Sequence, residues 1–164
     1  MPHPFYMSIT GVSQGEFPGE CPMEAHQNKT LCQGLKHHVT VPFEEGSGMP
    51  TAHRRHGKLT VFKVLDKITP LLAHAMCSNE QLEVRLEYYR ANPAGDGTEE
   101  QFFTIILGEA RCVDIELDIP NCLDTRNSDI QNMEYISFAY GWIRWVFEPA
   151  GIEHEDHWSL NSDS

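Results

Sequence analysis

The chain has 164 residues, 40% hydrophobic and 22% charged, with 24 acidic against 12 basic side chains and a formal charge of −12. Length and composition fit one soluble globular domain whose core can stand without disulfides or metal. The charge argues against a nucleic-acid binder, which needs a basic footprint, and against docking on anionic lipid.

No apolar run reaches the roughly 18 residues of a membrane helix. The N-terminus has no basic segment followed by an apolar one, so no classical signal peptide is expected. The protein is expected to fold in the cytoplasm and, if it is exported, to leave by a dedicated machine. Cys21, Cys32, Cys77, Cys112 and Cys122 form an odd set without a CxxC pair. Buried free thiols are the expectation.

In chain order, Phe5, Met7 and Ile9 alternate with Tyr6, Ser8 and Thr10, so Pro4–Gly11 predicts a strand, stopped by Gly11 and Gly15. Leu31–Val41 predicts another. Pro42–Gly57 is long, polar and rich in Gly and Pro, and is expected to be an irregular loop; loops of that length are functional or disordered. After a strand over Leu59–Leu65, Ile68–Cys77 predicts a helix with Thr69 as N-cap, Pro70 in first position and Leu71, Leu72, Ala75 and Met76 at helical spacing.

Leu82–Ala91 alternates cleanly, with Leu82, Val84, Leu86 and Tyr88 on the apolar face. Ala91–Gly97 is a turn cluster. Gln101–Leu107 and Ala110–Ile119 read as two strands reversing at Gly108–Glu109, the second with Val113, Ile115, Leu117 and Ile119 facing inward. Met133–Tyr140 and Trp142–Phe147 read as a hairpin about Gly141. The hairpin is crowded with Phe138, Tyr140, Trp142, Trp145 and Phe147, which suits core packing or an oligomer interface. From Ile152 the sequence is polar and acidic, with Trp158 as its one anchor. The expected organisation is a domain over residues 1–149 and a polar tail over 150–164. Many short strands and one helix predict a mainly β fold, a compact closed antiparallel barrel or a sandwich, flanked by one short α-helix.

Little in the chain predicts chemistry. His53/His56 and His154/His157 are spaced i, i+3, and His37 and His38 are adjacent, but no converging ligand set accompanies them. There is no GxSxG elbow, GxGxxG or Walker loop. The row Asp114, Glu116, Asp118 reads as an exposed strand face. No catalytic residue, metal site or cofactor is expected, and the protein is not read as an enzyme.

The order of short motifs carries more information than any one of them. They are Tyr6-x-x-Ile9-x-Gly11-x-x-Gln14-Gly15, the strand His38–Pro42, and the Gly-rich loop ending Arg54-x-His56. Lys63-x-x-Asp66-Lys67-x-x-Pro70-x-Leu72, Leu86-x-x-Tyr89-Arg90, Phe102-Phe103-x-Ile105-x-Leu107 and Ala110-x-x-Val113 follow. With these motifs the chain resembles the haemolysin-coregulated protein (Hcp) family, the tube subunit of the bacterial type VI secretion system, over about residues 4–148. The resemblance implies a barrel with one helix, six copies in a ring with a wide lumen, and rings stacked into an expelled tube that can carry effector proteins. It implies sheath and spike-tip proteins as partners, secretion to the outside or into a target cell, and no cofactor. For subunit contacts the expected residues lie in the long loop: Arg54, Arg55 and His56, with Glu44 and Glu45. Two rival readings stay open: a monomeric barrel binding a small apolar ligand, and a metal-assisted hydrolase using the histidines.

Overall fold

The computed structural model describes residues 2–158. In β1 (Phe5–Gly11) the predicted alternation holds, and Phe5, Met7 and Ile9 are buried in the core. β1 is followed by the two-residue β2 (Gly15–Glu16), β3 (Thr30–Lys36), a small separate pair β4 (Val39–Thr40) and β5 (Arg55–His56), and β6 (Leu59–Val64). Then come α1 (Thr69–Ser78), β7 (Leu82–Ala91), the 20-residue β8 (Glu99–Asp118), β9 (Met133–Ala139), β10 (Trp142–Phe147) and β11 (Ile152–His157).

All pairings in the main sheet are antiparallel, in the order β11-β10-β8-β7-β1-β3-β6-β9, and β9 returns to pair with β8. Six strands thus close a barrel, and closure leaves none of the six as a free edge of the sheet. The length of β8 makes the closure. Residues 99–110 pair with β7, while 111–118 leave that neighbour and pair with β9. β10 and β11 continue the sheet as a flap beside the barrel.

This topology corrects two readings of the sequence. Gly108–Glu109 is not a reversal: the strand continues through it, with Glu109 at φ 51°. Nor do β9 and β10 form a hairpin at Gly141. Trp142 pairs with Gly108 and Ala139 with Arg111, so both segments run antiparallel along the same edge of β8. The two irregularities face each other, and both strands bend together there. The bend also changes which side chains point inward: Leu107 is buried before it, Ala110 and Cys112 after it. A bulge between Cys112 and Asp114 then shifts the phase again. Val113, Leu117 and Ile119, expected inside, are 48%, 56% and 56% exposed.

Helix α1 lies against β8 and inserts Leu72 and Ala75, with Ile68 just before it, into the core. It starts one residue earlier than the capping prediction required. Ile68 holds the N-cap position, and Thr69, the first helical residue, instead gives its hydroxyl to Glu134 at 2.7 Å. The helix ends at Asn79 in the left-handed conformation, which aims Glu80 back at the β1–β2 turn. Glu80 is 6% exposed; its Oε1 accepts the backbone N–H groups of Ser13 and Gln14, each at 2.8 Å, and its Oε2 accepts Gln14 Nε2 at 2.7 Å. Gly11 is needed for this approach, because a Cβ there would stand 2.7 Å from Glu80 Oε2. The motif Gly11-x-x-Gln14-Gly15 is therefore a carboxylate cradle that ties β1 to the helix. Burial pushes the Glu80 carboxyl up, but the hydrogen bonds from Gln14 and Ser13 together hold it below the ordinary value. Glu80→Ala leaves two turn amides without their acceptor and is expected to cost on the order of 1–3 kcal/mol in denaturant unfolding.

Two further expectations change. Cys21, Cys32 and Cys112 are buried as predicted, but Cys77 and Cys122 are exposed. Residues 152–157, read as tail, pair with β10 as the edge strand β11; residues 159–164 lie outside the described residues. IEHEDH carries no apolar alternation, so its strand is held by backbone bonds and ion pairs such as Arg144–Glu155 at 2.7 Å.

Candidate functional site: an arm and its latch

The segment expected to be an irregular loop is a hairpin arm. β3 ends at Lys36, and His37 and His38 lead into β4, which the sequence alone joins to β3. Beyond β4 the chain keeps pairing with itself: Phe43 bridges Pro50, Glu44 N–H donates to Met49 O at 2.9 Å, and Thr51 N–H to Pro42 O at 2.9 Å. The arm returns through β5. Phe43 and Met49 are each 64% exposed near the tip. Glu44 and Glu45 are exposed beside them, and Ser47 donates to Glu44 at 2.6 Å.

The base of the arm is fastened to the barrel by polar groups. Arg54 grips Asp156 of β11 with two parallel bonds of 2.5 Å, from Nε to Oδ2 and from Nη2 to Oδ1. His56 is buried; its Nε2 lies 2.7 Å from Asp156 Oδ2 and its Nδ1 2.6 Å from the Tyr140 hydroxyl. The same hydroxyl lies 2.8 Å from His37 Nε2. Tyr140 thus joins both ends of the arm, and Trp158 stacks on His56 at 5.7 Å between centroids. The hydrogen bonds and charge of Arg54, with further help from His56, hold the Asp156 carboxyl down to about 2 against its burial. Burial pushes the Tyr140 phenol up, with the Asp156 charge adding to it. Burial likewise pushes the His37 imidazole down, reinforced by His56 and His38.

Of the residues predicted for contacts, the structure therefore brings Arg54 and His56 together on Asp156 within one chain. Arg55 pairs through its backbone with Thr40 and is exposed, as are Glu44 and Glu45. Asp156, Tyr140 and His37 complete the latch; the sequence draws attention to His37 and Tyr140 but not to their meeting, and does not single out Asp156. Asp156 lies in a segment without periodicity, and Tyr140, read as the end of a strand in an aromatic hairpin, gives no sign of its polar partners. The spaced histidines do not converge: His53 is exposed, His154 stacks on Trp145, and His157 lies 3.2 Å from Glu155. Among the described residues no group of three or more His, Cys, Asp or Glu side chains is placed to hold a metal. No helix among them is long and apolar enough to cross a membrane.

The chain is a closed antiparallel barrel with one covering helix and an arm fastened at its base. The family model described as "Type VI secretion system effector, Hcp" matches residues 6–147. The chain belongs to this family of type VI secretion proteins. It is 36% identical to the "Major exported protein" of Pseudomonas aeruginosa strain PAO1, over 96% of either chain. Among solved structures, one described as Hcp protein superposes with a TM-score of 0.84 at 30% identity, covering 96% of this chain and 98% of the other. The secreted protein Hcp3 of P. aeruginosa gives a TM-score of 0.77 at 31% identity, covering 94% and 97%.

Proposed function

We propose that the chain is the tube subunit of a type VI secretion system. It folds in the cytoplasm, six copies close into a ring with a wide lumen, and rings stack head to tail into a tube that is expelled. Effector proteins ride in the lumen, and sheath and spike-tip proteins are the partners. The role is mechanical, not enzymatic. The observation that carries this reading is the arm. An ordered hairpin, held at its base by a buried ionic latch, presents exposed Phe43 and Met49 at its tip with Glu44 and Glu45 beside them and Arg55 nearer the barrel. Exposed aromatic and methionine side chains on a rigid projection suit burial by another subunit. Contacts between unlike surfaces of identical copies close into rings or continue as open polymers. In this reading Glu44, Glu45 and Arg55 make the contact, while Arg54 and His56 act by holding the arm in place. The rival reading, a monomer with an apolar ligand inside its barrel, fits less well. Leu59, Val61, Val84, Leu86, Leu107, Ile136 and Phe138 fill the interior with their own side chains.

Light scattering on a sizing column tests the ring. A species of roughly 112 kDa, six times the 18.7 kDa chain, is expected; a monomer persisting at high concentration would sink the proposal. Arg55→Glu combined with Glu44→Lys reverses charge on the arm without touching the latch, and should weaken association about tenfold or more. Intact rings and tubes from that variant would remove the arm from the contact.

A further inference from the structure

The latch contains two imidazoles and one phenol in a row, and a hydroxyl carries a single hydrogen. Tyr140 can donate to only one of its two histidine neighbours and must accept from the other. With both rings neutral, a consistent chain exists: His37 Nε2–H donates to Tyr140, Tyr140 O–H to His56 Nδ1, and His56 Nε2–H to Asp156. With one proton added to His56, a second consistent chain exists. His56 Nδ1–H now donates to Tyr140, Tyr140 donates to His37 Nε2, and the His37 proton moves to Nδ1. With both rings charged no chain closes. Two N–H groups then point at one oxygen, whose own hydrogen has no further acceptor among the described residues.

We propose that His37, Tyr140 and His56 form a proton-counting latch at the base of the arm, which holds with no added proton or with one and opens with two. The groups around it favour this order. Asp156 on β11 faces His56 and is shared with Arg54 on the returning arm. Among the described residues no carboxylate contacts His37; it meets Tyr140, His56, the adjacent His38 and the ring of Trp145, on which His154 stacks. Among the described residues Asp156 already meets Arg54 and His56, and a charge on His37 would bring a third cation to this cluster. The downward push of burial on His37, reinforced by His56 and His38, agrees with a resisted second proton. The sign follows by linkage. The unfolded chain takes up that proton more readily, so the latch is fully held above the ordinary imidazole value and weakens as pH falls below it. Asp156 stays ionised through that range.

The consequence for assembly rests on the arm contact proposed above; the latch itself does not. The test is imidazole ¹⁵N spectroscopy of the whole chain, with amide exchange of the Arg54–Gly57 segment, from about pH 8 to about pH 4 across the ordinary imidazole value of ~6.5. When the first proton enters the latch, His37 should change tautomer without charging, and exchange at the arm base should stay slow. When His37 charges, exchange there should rise roughly tenfold or more beyond the intrinsic effect of pH, the scale of one or two lost hydrogen bonds. Tyr140→Phe keeps the ring and removes the bridge, and should abolish the tautomer change. Independent titrations, a first proton on His37, or exchange that rises with the first proton would each overturn the latch. Mass measured in the same buffers separates the two ideas: a chain that is monomeric throughout defeats the tube reading and leaves the latch to the spectra.

Discussion

Lys63→Met should lower folding stability by about 3–5 kcal/mol, read as a fall in the denaturant midpoint at unchanged slope. The alternation of β6 turns Leu59, Val61 and Lys63 to the same buried side, and Lys63 is fully buried there. Register sets Glu134 of β9 opposite it, also fully buried, and the two form an ion pair. Lys63 Nζ further donates to Asp66 Oδ1 at 2.8 Å and to Val64 O at 3.1 Å. Asp66 Oδ1 accepts the Ile68 N–H at 3.1 Å, and Thr69 donates to Glu134. One ammonium thus ties β6, β9 and the start of α1 together. Met fills a similar volume but leaves Glu134 buried with only the Thr69 hydroxyl, since its Oε2 has no hydrogen-bond partner among the described residues. A buried carboxylate that loses its cation carries the full desolvation cost. The paired change Lys63→Met with Glu134→Leu removes both charges and should recover more than half of the loss. If the double variant is as unstable as the single, packing rather than charge is what Lys63 supplies.

Gly108→Ala should cost about 1–3 kcal/mol and disturb the near-ultraviolet signal of Trp142. Trp142 pairs directly with Gly108 and lays its indole over the bare Cα, where a Cβ would overlap the ring. Glu109 sits beside it in the left-handed region, and Gly141 opposite leaves room for the Glu109 side chain. These residues form the bend that lets β8 serve β7 with one half and β9 with the other, so displacing the indole strains the closure of the barrel. Trp142→Ala removes the colliding ring, and in that background Gly108→Ala should cost little; an unchanged cost would place the strain in the backbone instead.

Both sites show where sequence reading reaches its limit. Lys63 was visible as part of a spaced motif, Lys63-x-x-Asp66, yet its role depends on Glu134, some seventy residues away and brought opposite only by strand register. Gly108 was visible as a break. A glycine beside a charged residue between two apolar runs signals a turn equally well as a bend, and only the partner strand decides which. The expected inward face of Val113, Leu117 and Ile119 failed for the same reason: a bulge between Cys112 and Asp114 shifts the phase of a segment whose alternation the sequence shows as regular. Asp156, the anchor of the arm, sits in a strand held by backbone pairing and ion pairs, with no apolar alternation to announce it.

What the sequence determined by itself was the local part: alternation in β1, β6 and β7, the helix at Thr69–Ser78, the Gly11-to-Gly15 turn, and the family to which their order belongs. Each depends on side-chain periodicity or turn chemistry over a few residues. Tertiary structure alone decided that β8 is one bent strand closing the barrel, that β9 and β10 lie in line, and that the arm is a hairpin latched by Arg54, His56, Tyr140 and Asp156. Those features are pairings between distant segments, and their energy lies in hydrogen bonds and desolvated charges that exist only once both partners are in place.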